Sequence, residues 1–579
     1  MQKLLCAALA GLSLFAQSER GSITGVVTDP TGAAVPAAQI TVTNRDTNVA
    51  NKSVATANGE YSVPNLSPGT YRIEVTSTGF KRYLQQNAVV TASSTVRIDA
   101  VLQLGQVTDQ IEVTAAASAL QTDSSRVSTS VQNKLVDELP LVVGGAMRSP
   151  FNLVAVAAEA RGSGQGLSIG GGQAAQWDAT LDGHSVGTNR SGDTAEAALN
   201  TPSVEALTEF TVDTNGFKAE YGQAGGGVMT FASKSGTNAL HGSVYNFLRN
   251  DKLDARGFFA PTRSIYRQND FGFSASGPVV IPKLYNGKNK SFWFVSYEGF
   301  RNRVGANAQI LSVPAPEMYR GDFRNWVDAN HRLLPVYDPS TTRANPNGAG
   351  SIRDLFPNNQ IPISRFSTTA NAIAAYGRDI APNRGFAPGT NNYVRNNYQV
   401  TGGTNVTPTD KWSVKGDQVI GNNHRVSFLW NQTTFFNKPG PGGPPGLPGT
   451  LYNGQIQDWD TNALRLVHDW TISPSMVNHL SWAKNTFIKN SYSPNVDLNW
   501  KDKVCIKNAV DCNQNFPTIN FGELTGWGGA SYNGTNQPGW GLKNDLSYIR
   551  GSHTMKFGFQ HQNQNADGFG QQEIGRAHV

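Results

Sequence analysis

Residues 203–259 read SVEALTEFTVDTNGFKAEYGQAGGGVMTFASKSGTNALHGSVYNFLRNDKLDARGFF, and two textures meet inside this stretch. Up to Asn238 it is compact and glycine-rich. Gly222 and Gly225 to Gly227 permit tight turns and the close approach of one backbone to another. From Leu240 onward, LHGSVYNFLR alternates large and polar residues, the pattern of a strand with two unlike faces. A glycine-rich domain therefore ends where a sheet of half-apolar strands begins.

The alternation continues to residue 563. It predicts strands at 240–249, 269–280, 291–301, 410–419, 425–434, 458–470, 475–488, 539–549 and 554–563. The connections at 281–290, 420–424, 471–474 and 550–553 are short, and those at 250–268, 302–409, 435–457 and 489–538 are long. Short turns on one side and long loops on the other are the pattern of a membrane-spanning barrel with its long loops outside. The faces separate: Lys411, Ser413, Lys415 and Asp417 share one face, Trp412 and Val414 the other. Likewise Thr554, Lys556 and Gln560 oppose Met555, Phe557 and Phe559. Trp293, Trp430, Trp470 and Trp482 are expected at interfacial girdles. A soluble sandwich or propeller is the competing architecture, but no blade-length repeat is present.

Composition agrees. Of 579 residues, 60 are glycine and only 16% are charged, which suits strands joined by many turns. The net charge of +6 is spread thinly, without the basic-aromatic patch of a nucleic-acid binder. Past residue 20 no apolar run of ~18 residues exists, so no transmembrane helix is expected, which leaves a closed barrel as the other way across a bilayer. HExxH and metal-spaced His/Cys clusters are absent from the sequence, and GLSIG at 166–170 has no strand-to-helix context, so neither an enzyme nor a cofactor is expected. GSGQGLSIGGG at 162–172 offers no GxGxxG register. His184, a lone histidine, is expected at a turn or on the surface. Of three cysteines, Cys6 lies in the N-terminal apolar run. Cys505 and Cys512 either pair in an oxidising compartment or stay free thiols.

The junction resembles that between plug and barrel in TonB-dependent outer-membrane receptors of the Oar-like subfamily. The matching residues are Glu209, Phe210 and Val212, AEYG at 219–222, GGGV at 225–228, KSGTN at 234–238, HG at 241–242, FLRND at 247–251, LDAR at 253–256 and FF at 258–259. GDF at 321–323, YDPST at 337–341 and IPISRF at 361–366 add family-like pieces in the longest loop. The resemblance implies an all-β dominated fold: a plug at 123–235, with a helix at 131–140, then at 239–572 the first nine or so strands of a barrel of about 22. Asp182 and Gly183 match the family's turn, but LPLVVGGAMR at 139–148 lacks its usual NGR.

The N-terminus adds further modules. Residues 1–16 read as a secretory signal peptide. Residues 19–104 carry some seven short alternating strands between turn signals, the pattern of a small sandwich. Its expected core is Ile23, Ile40, Val42, Tyr61, Leu66, Tyr71, Ile73, Val75, Ile98 and Leu102. GVVTDPTG at 25–32, Val35-Pro36, GEY at 59–61 and PGTYRIEV at 68–75 resemble the carboxypeptidase regulatory-like domain, of transthyretin-like or carbohydrate-binding-like fold. Its role is glycan or protein binding, or that of a periplasmic spacer. Within the linker 105–122, Asp109, Gln110, Ile111, Glu112, Val113, Thr114 and Ala115 resemble a TonB box, an extended segment that adds to a partner's sheet edge. The alternative is a last strand of the sandwich. KPGPGGPPGLPG at 438–449 is expected at an extracellular loop tip. EIGRAHV at 573–579 fits no strand and reads as a non-native tail on a truncated chain.

Together these imply an outer-membrane receptor that imports an extracellular ligand of unspecified identity, with loops 302–409 and 489–538 as its binding surface. Its implied partners are TonB with the inner-membrane energising complex, outer-membrane lipid and the barrel assembly machinery; nucleic acid is not one. A surface adhesion protein using the sandwich as binding module is the alternative.

Overall fold

The computed structural model describes residues 20–106, 110–114, 126–132, 147–187, 194–218, 220–222, 224–258, 263–305, 308–400, 403–439, 446–452, 454–496, 498–504, 516–528, 533–550 and 553–570. The leader, most of the helix expected at 131–140, Cys505, Cys512 and the tail lie outside them; Val131 and Gln132 are strand residues.

The first unit is a sandwich. Strands β1 (Gly21–Thr28), β4 (Glu60–Leu66), β7 (Thr95–Arg97) and β8 (Ala100–Val101) form one sheet. Strands β2 (Gln39–Asn44), β3 (Ala50–Val54), β5 (Gly69–Thr76), β6 (Arg82–Val90) and β9 (Gln110–Thr114) form the other, in the order β3-β2-β5-β6-β9. The DPTG turn is built by Asp29, whose Oδ1 accepts from the N–H groups of Thr31 and Ala33 at 2.9 Å each. Nine of the ten expected core residues are buried, and Ile98 packs half-buried against them.

The expectation of a free linker at 105–122 is corrected in part. Gln110 to Thr114 run parallel to β6, with Arg82 opposite Gln110 and Gln86 opposite Thr114. The physical reason is the sheet edge: β6 would otherwise leave its backbone groups to solvent, and an alternating segment close in sequence can pair with them. Ile111 is half-buried and Glu112 exposed, as the period of a strand demands.

The middle domain is a five-stranded sheet of β10 (Val127–Gln132), β11 (Asp178–Leu181), β12 (His184–Ser185), β13 (Leu207–Asn215) and β14 (Val228–Ser233), ordered β10-β13-β14-β11-β12. A short helix, α1 (Thr194–Leu199), packs beside it. Phe210 and Phe231 stack at 5.0 Å, and Phe151 meets Phe231 edge-on at 5.2 Å. The two glycine runs touch. A Cβ on Gly172 would lie 2.6 Å from the Gly226 Cα, and one on Gly227 only 2.1 Å from the Ile169 Cγ2.

The third unit is an antiparallel meander of β15 (His241–Asn250), β16 (Tyr266–Pro278), β17 (Ser291–Gly305), β18 (Thr404–Ile420), β19 (His424–Asn437), β20 (Ile456–Ser473), β21 (Met476–Tyr492), β22 (Asn533–Arg550) and β23 (His553–Gln564). Each strand pairs with the next, so all nine expected strands are present in the expected order. A short β24 (Asp567–Gly570) pairs with the start of β22. Among the described residues β15 and β23 do not pair with each other.

The faces of this sheet are inverted relative to a soluble protein. Gln268, Asp270, Ser296, Glu298, Lys411, Asp417, Arg465 and Lys543 are buried on the side toward the middle domain. Val244, Trp412, Phe428, Leu466, Trp470, Leu480, Trp540 and Phe557 are exposed on the other. A polar inside and an apolar outside fit a wall that meets lipid. Trp293 and Trp470 stand near short turns, whereas Trp430 and Trp482 sit nearer mid-strand, so these four do not form one girdle.

The long connections are not separate loops. Val313, Leu447, Leu451, Trp500, Val504, Phe516 and Trp527, drawn from three of them, form one buried cluster. Leu447 is wholly buried, so the low-complexity run is anchored in this cap at that residue.

Candidate functional site

The inner wall of the meander holds the middle domain through polar contacts. Helix α1 ends with unsatisfied carbonyls, as every helix does. Lys411 on β18 donates to the Ala198 carbonyl at 2.7 Å and to that of Thr201 at 3.2 Å, and Thr461 on β20 donates to Leu199 at 2.8 Å. At the other end of the helix, Lys489 pairs with Glu196 at 2.8 Å. On β12, His184 shares a 2.9 Å hydrogen bond with Ser481, and Asn485 donates to the Ser185 carbonyl at 3.1 Å. Lys415 donates to Ser233 Oγ at 2.7 Å, Ser235 bonds to Asp417, and Lys556 pairs with Glu220 at 2.7 Å.

Arg148 forms the densest knot. It lies 3.5 Å from Asp270 and 3.9 Å from both Glu205 and Glu298, with its guanidinium 4.5 Å from the centre of the Tyr245 ring and 4.6 Å from that of Phe247. The 139–148 run ends on this arginine, so the departure from the NGR pattern still delivers a buried cation to the wall. Nothing local in the sequence marks its partners, which lie far along the chain.

His184 corrects the expectation of a surface residue. It is 3% exposed, because the turn of Asp182 and Gly183 pushes β12 against the wall at Gly541. Burial, then the cations Arg465 and Lys543, hold its imidazole well below the usual histidine range.

The sandwich docks at the short-turn end. Asn65 donates to Asp469 at 2.9 Å, Arg20 pairs with Asp469 at 3.1 Å, and Arg425 donates to Ser67 at 2.7 Å. Asn48 meets Asn289 at 3.1 Å. A second junction joins sandwich and middle domain: the Ala92 N–H donates to Glu209 at 3.0 Å and Ser93 bonds to the Tyr221 hydroxyl at 2.8 Å. Glu209 also accepts from Ser130 at 2.6 Å, and burial pushes its carboxyl above the usual range. A cavity of about 530 Å³ lies among the three units, lined by residues that include Ala50, Lys52, Lys234, His424 and Asp469.

Of the residues singled out as a TonB box, Gln110 to Thr114 form β9, while Asp109 and Ala115 lie outside the described residues. Among the described residues no group of three or more His, Cys, Asp or Glu is arranged to hold a metal ion.

An inverted meander around a polar-seated domain defines a class, and the comparisons agree with it. A family model described as an outer membrane beta barrel domain matches residues 232–577, and the chain belongs to that family. A carboxypeptidase regulatory-like domain matches residues 22–103. The chain is homologous to the TonB-dependent transporter Oar of Myxococcus xanthus, with 26% identity over 291 residues, covering 48% of this chain and 27% of the relative. It therefore spans about a quarter of that relative's length. Among solved structures it is similar to the outer membrane transporter YddB of Escherichia coli, at 10% identity and a TM-score of 0.43, covering 76% of this chain and 48% of that one. It is also similar to the ferric enterobactin receptor PfeA of Pseudomonas aeruginosa, at 8% identity and a TM-score of 0.40, covering 76% and 49%. The protein is an outer-membrane β-barrel protein similar to a TonB-dependent transporter, which points to the Gram-negative outer membrane.

Proposed function

We infer that this chain works in an energy-coupled importer. The middle domain acts as the plug, the long-loop cap faces the extracellular ligand, and the segment 109–115 passes force from a TonB protein and its inner-membrane complex. The observation that carries this reading is the polar seating of the middle domain. Apart from Leu429 of the wall, which packs into the apolar core of the middle domain, and the rings beneath Arg148, its named contacts are hydrogen bonds and ion pairs that water can replace, so displacement loses less than a dry apolar interface would forfeit.

The position of the sandwich supports import over adhesion. It bonds to Asn289, Arg425 and Asp469 at the short-turn end, opposite the cap. A module held there faces the periplasm, after removal of the leader 1–16. Lipid surrounds the apolar face, and the barrel assembly machinery inserts the sheet.

Deletion of residues 109–115 tests the reading. Uptake should vanish while ligand binding at the cell surface persists. Undiminished uptake would sink it.

A further inference from the structure

A second, smaller cavity of about 70 Å³ lies where the inner wall meets the middle domain and the sandwich. Four cationic side chains line it: Arg20, Lys415 on β18, Arg425 on β19 and Arg465 on β20. Three of them are matched by carboxylates. Arg20 pairs with Asp469 at 3.1 Å, Arg425 with Asp417 at 3.0 Å and Lys415 with Asp182 at 3.6 Å. Among the described residues Asp182 is the one carboxylate on the lining itself, and it is engaged by the N–H and the hydroxyl of Ser233 as well as by Lys415.

Arg465 is the exception. It is 1% exposed. Its Nη1 donates to the Leu464 carbonyl at 3.0 Å, the Lys484 carbonyl at 3.4 Å and the Asn485 side chain at 2.7 Å, all of them neutral acceptors. Its Nε and Nη2 have no hydrogen-bond partner among the described residues. Those two N–H groups lie along one edge of the guanidinium and point the same way. They are the fork that grips two oxygens of an oxyanion at once. A buried guanidinium without a counter-charge is strongly destabilising, and a bound anion removes that cost.

We propose that this cavity binds one small tetrahedral oxyanion, of the phosphate or sulfate class, held side-on by Arg465. Lys415 and Arg425 add to the positive field around it. The size sets the class: the cavity has about twice the ~30 Å³ that one water takes in the liquid. That is room for a bare ion, not for a sugar or a lipid headgroup. Ser67 of the sandwich and Ser233 of the middle domain line the same space. The ion therefore sits where all three units meet and acts as a removable pin between them. This does not rest on the TonB reading, since it concerns how the domains are held and not what moves them.

The test is direct binding. The full chain, purified in detergent and dialysed free of phosphate, is titrated with radiolabelled inorganic phosphate in sodium chloride at fixed ionic strength, so that general screening stays constant. Saturable binding of one ion per chain, with competition by sulfate, is expected. Arg465→Gln should weaken that binding by about tenfold or more. If this variant does not fold, Arg465→Lys, which keeps the charge and loses the fork, is read in the same way. Failure to saturate, or an unchanged affinity in a folded variant, overturns the proposal. Glycerol 3-phosphate carries similar oxygens on a larger body and should not compete; competition as strong as that of sulfate would overturn the assignment to a free ion.

Discussion

Lys411 reaches from the inner wall of the sheet to the Ala198 carbonyl, 2.7 Å away, and so caps a helix that belongs to another domain. Lys411 is 1% exposed, and its ammonium also serves the Thr201 carbonyl. Lys411→Met keeps the stem and removes the donor. It should destabilise the seating of the middle domain by about 1–3 kcal/mol, the price of a buried acceptor left unmet. Faster proteolysis within residues 194–201 in detergent-solubilised protein is the readout; an unchanged rate would mean that the contact is idle.

Acidification should loosen the same interface through His184. Its folded-state pKa lies below the ordinary value, so its contribution is fully present at higher pH. It is lost as pH falls below about 6.5, where a displaced imidazole takes up a proton. Labelling of a cysteine placed at Ser185, taken relative to a free thiol at the same pH, should rise as pH falls from 7.5 to 5.5, and His184→Gln should flatten that rise. A pH response that survives in His184→Gln would assign it to another group.

Two glycines in the opening stretch should answer differently. A Cβ on Gly236 would lie 2.5 Å from the Trp293 carbonyl oxygen and 2.6 Å from that of Gly277, both backbone atoms that cannot rotate away. A Cβ on Gly222 meets nothing within 4 Å. Gly236→Ala should lose about 1–3 kcal/mol in thermal or denaturant unfolding, and Gly222→Ala should change stability little.

Glu209 ties the sandwich to the middle domain. Glu209→Ala removes the acceptor for Ala92 and Ser130, leaving the buried Ala92 N–H unmet. Cleavage of the linker by added protease should accelerate, while the sandwich itself stays folded around its own core. If the linker is cut at the wild-type rate, the docking at Asp469 alone holds the sandwich.

Trp500 is 2% exposed and meets Phe516 and Tyr376 edge-on at 5.3 and 5.6 Å. Trp500→Ala should cost the cap about 3–5 kcal/mol. Ligand binding should fall with the strand content of the barrel unchanged by circular dichroism.

The strands were legible because alternation is local. In KWSVKGD each residue declares its face, and Lys411 and Trp412 point where that pattern sends them. The sandwich core was legible for the same reason. The cap was not, since Val313, Leu447 and Trp527 come from three connections with no shared period, and only folding brings them together. Nor were the partners of His184 and Arg148: Ser481 stands 297 residues from His184, and a lone polar residue in a glycine-rich run looks like a turn whether or not a wall meets it. Segment 110–114 shows a further limit. Its alternation fits a strand in the sandwich as well as one lent to a partner, and an edge strand can satisfy both.

The shared core of the cap bears on how such a protein changes its ligand. Loops with separate roots can be altered one at a time, each tuned while the others stand still. Here a substitution at Leu447 or Trp527 disturbs residues rooted on neighbouring hairpins. A lineage shifting toward a new ligand is therefore expected to exchange the three connections as a block, and chimaeras that graft only one of them should fail to fold the cap.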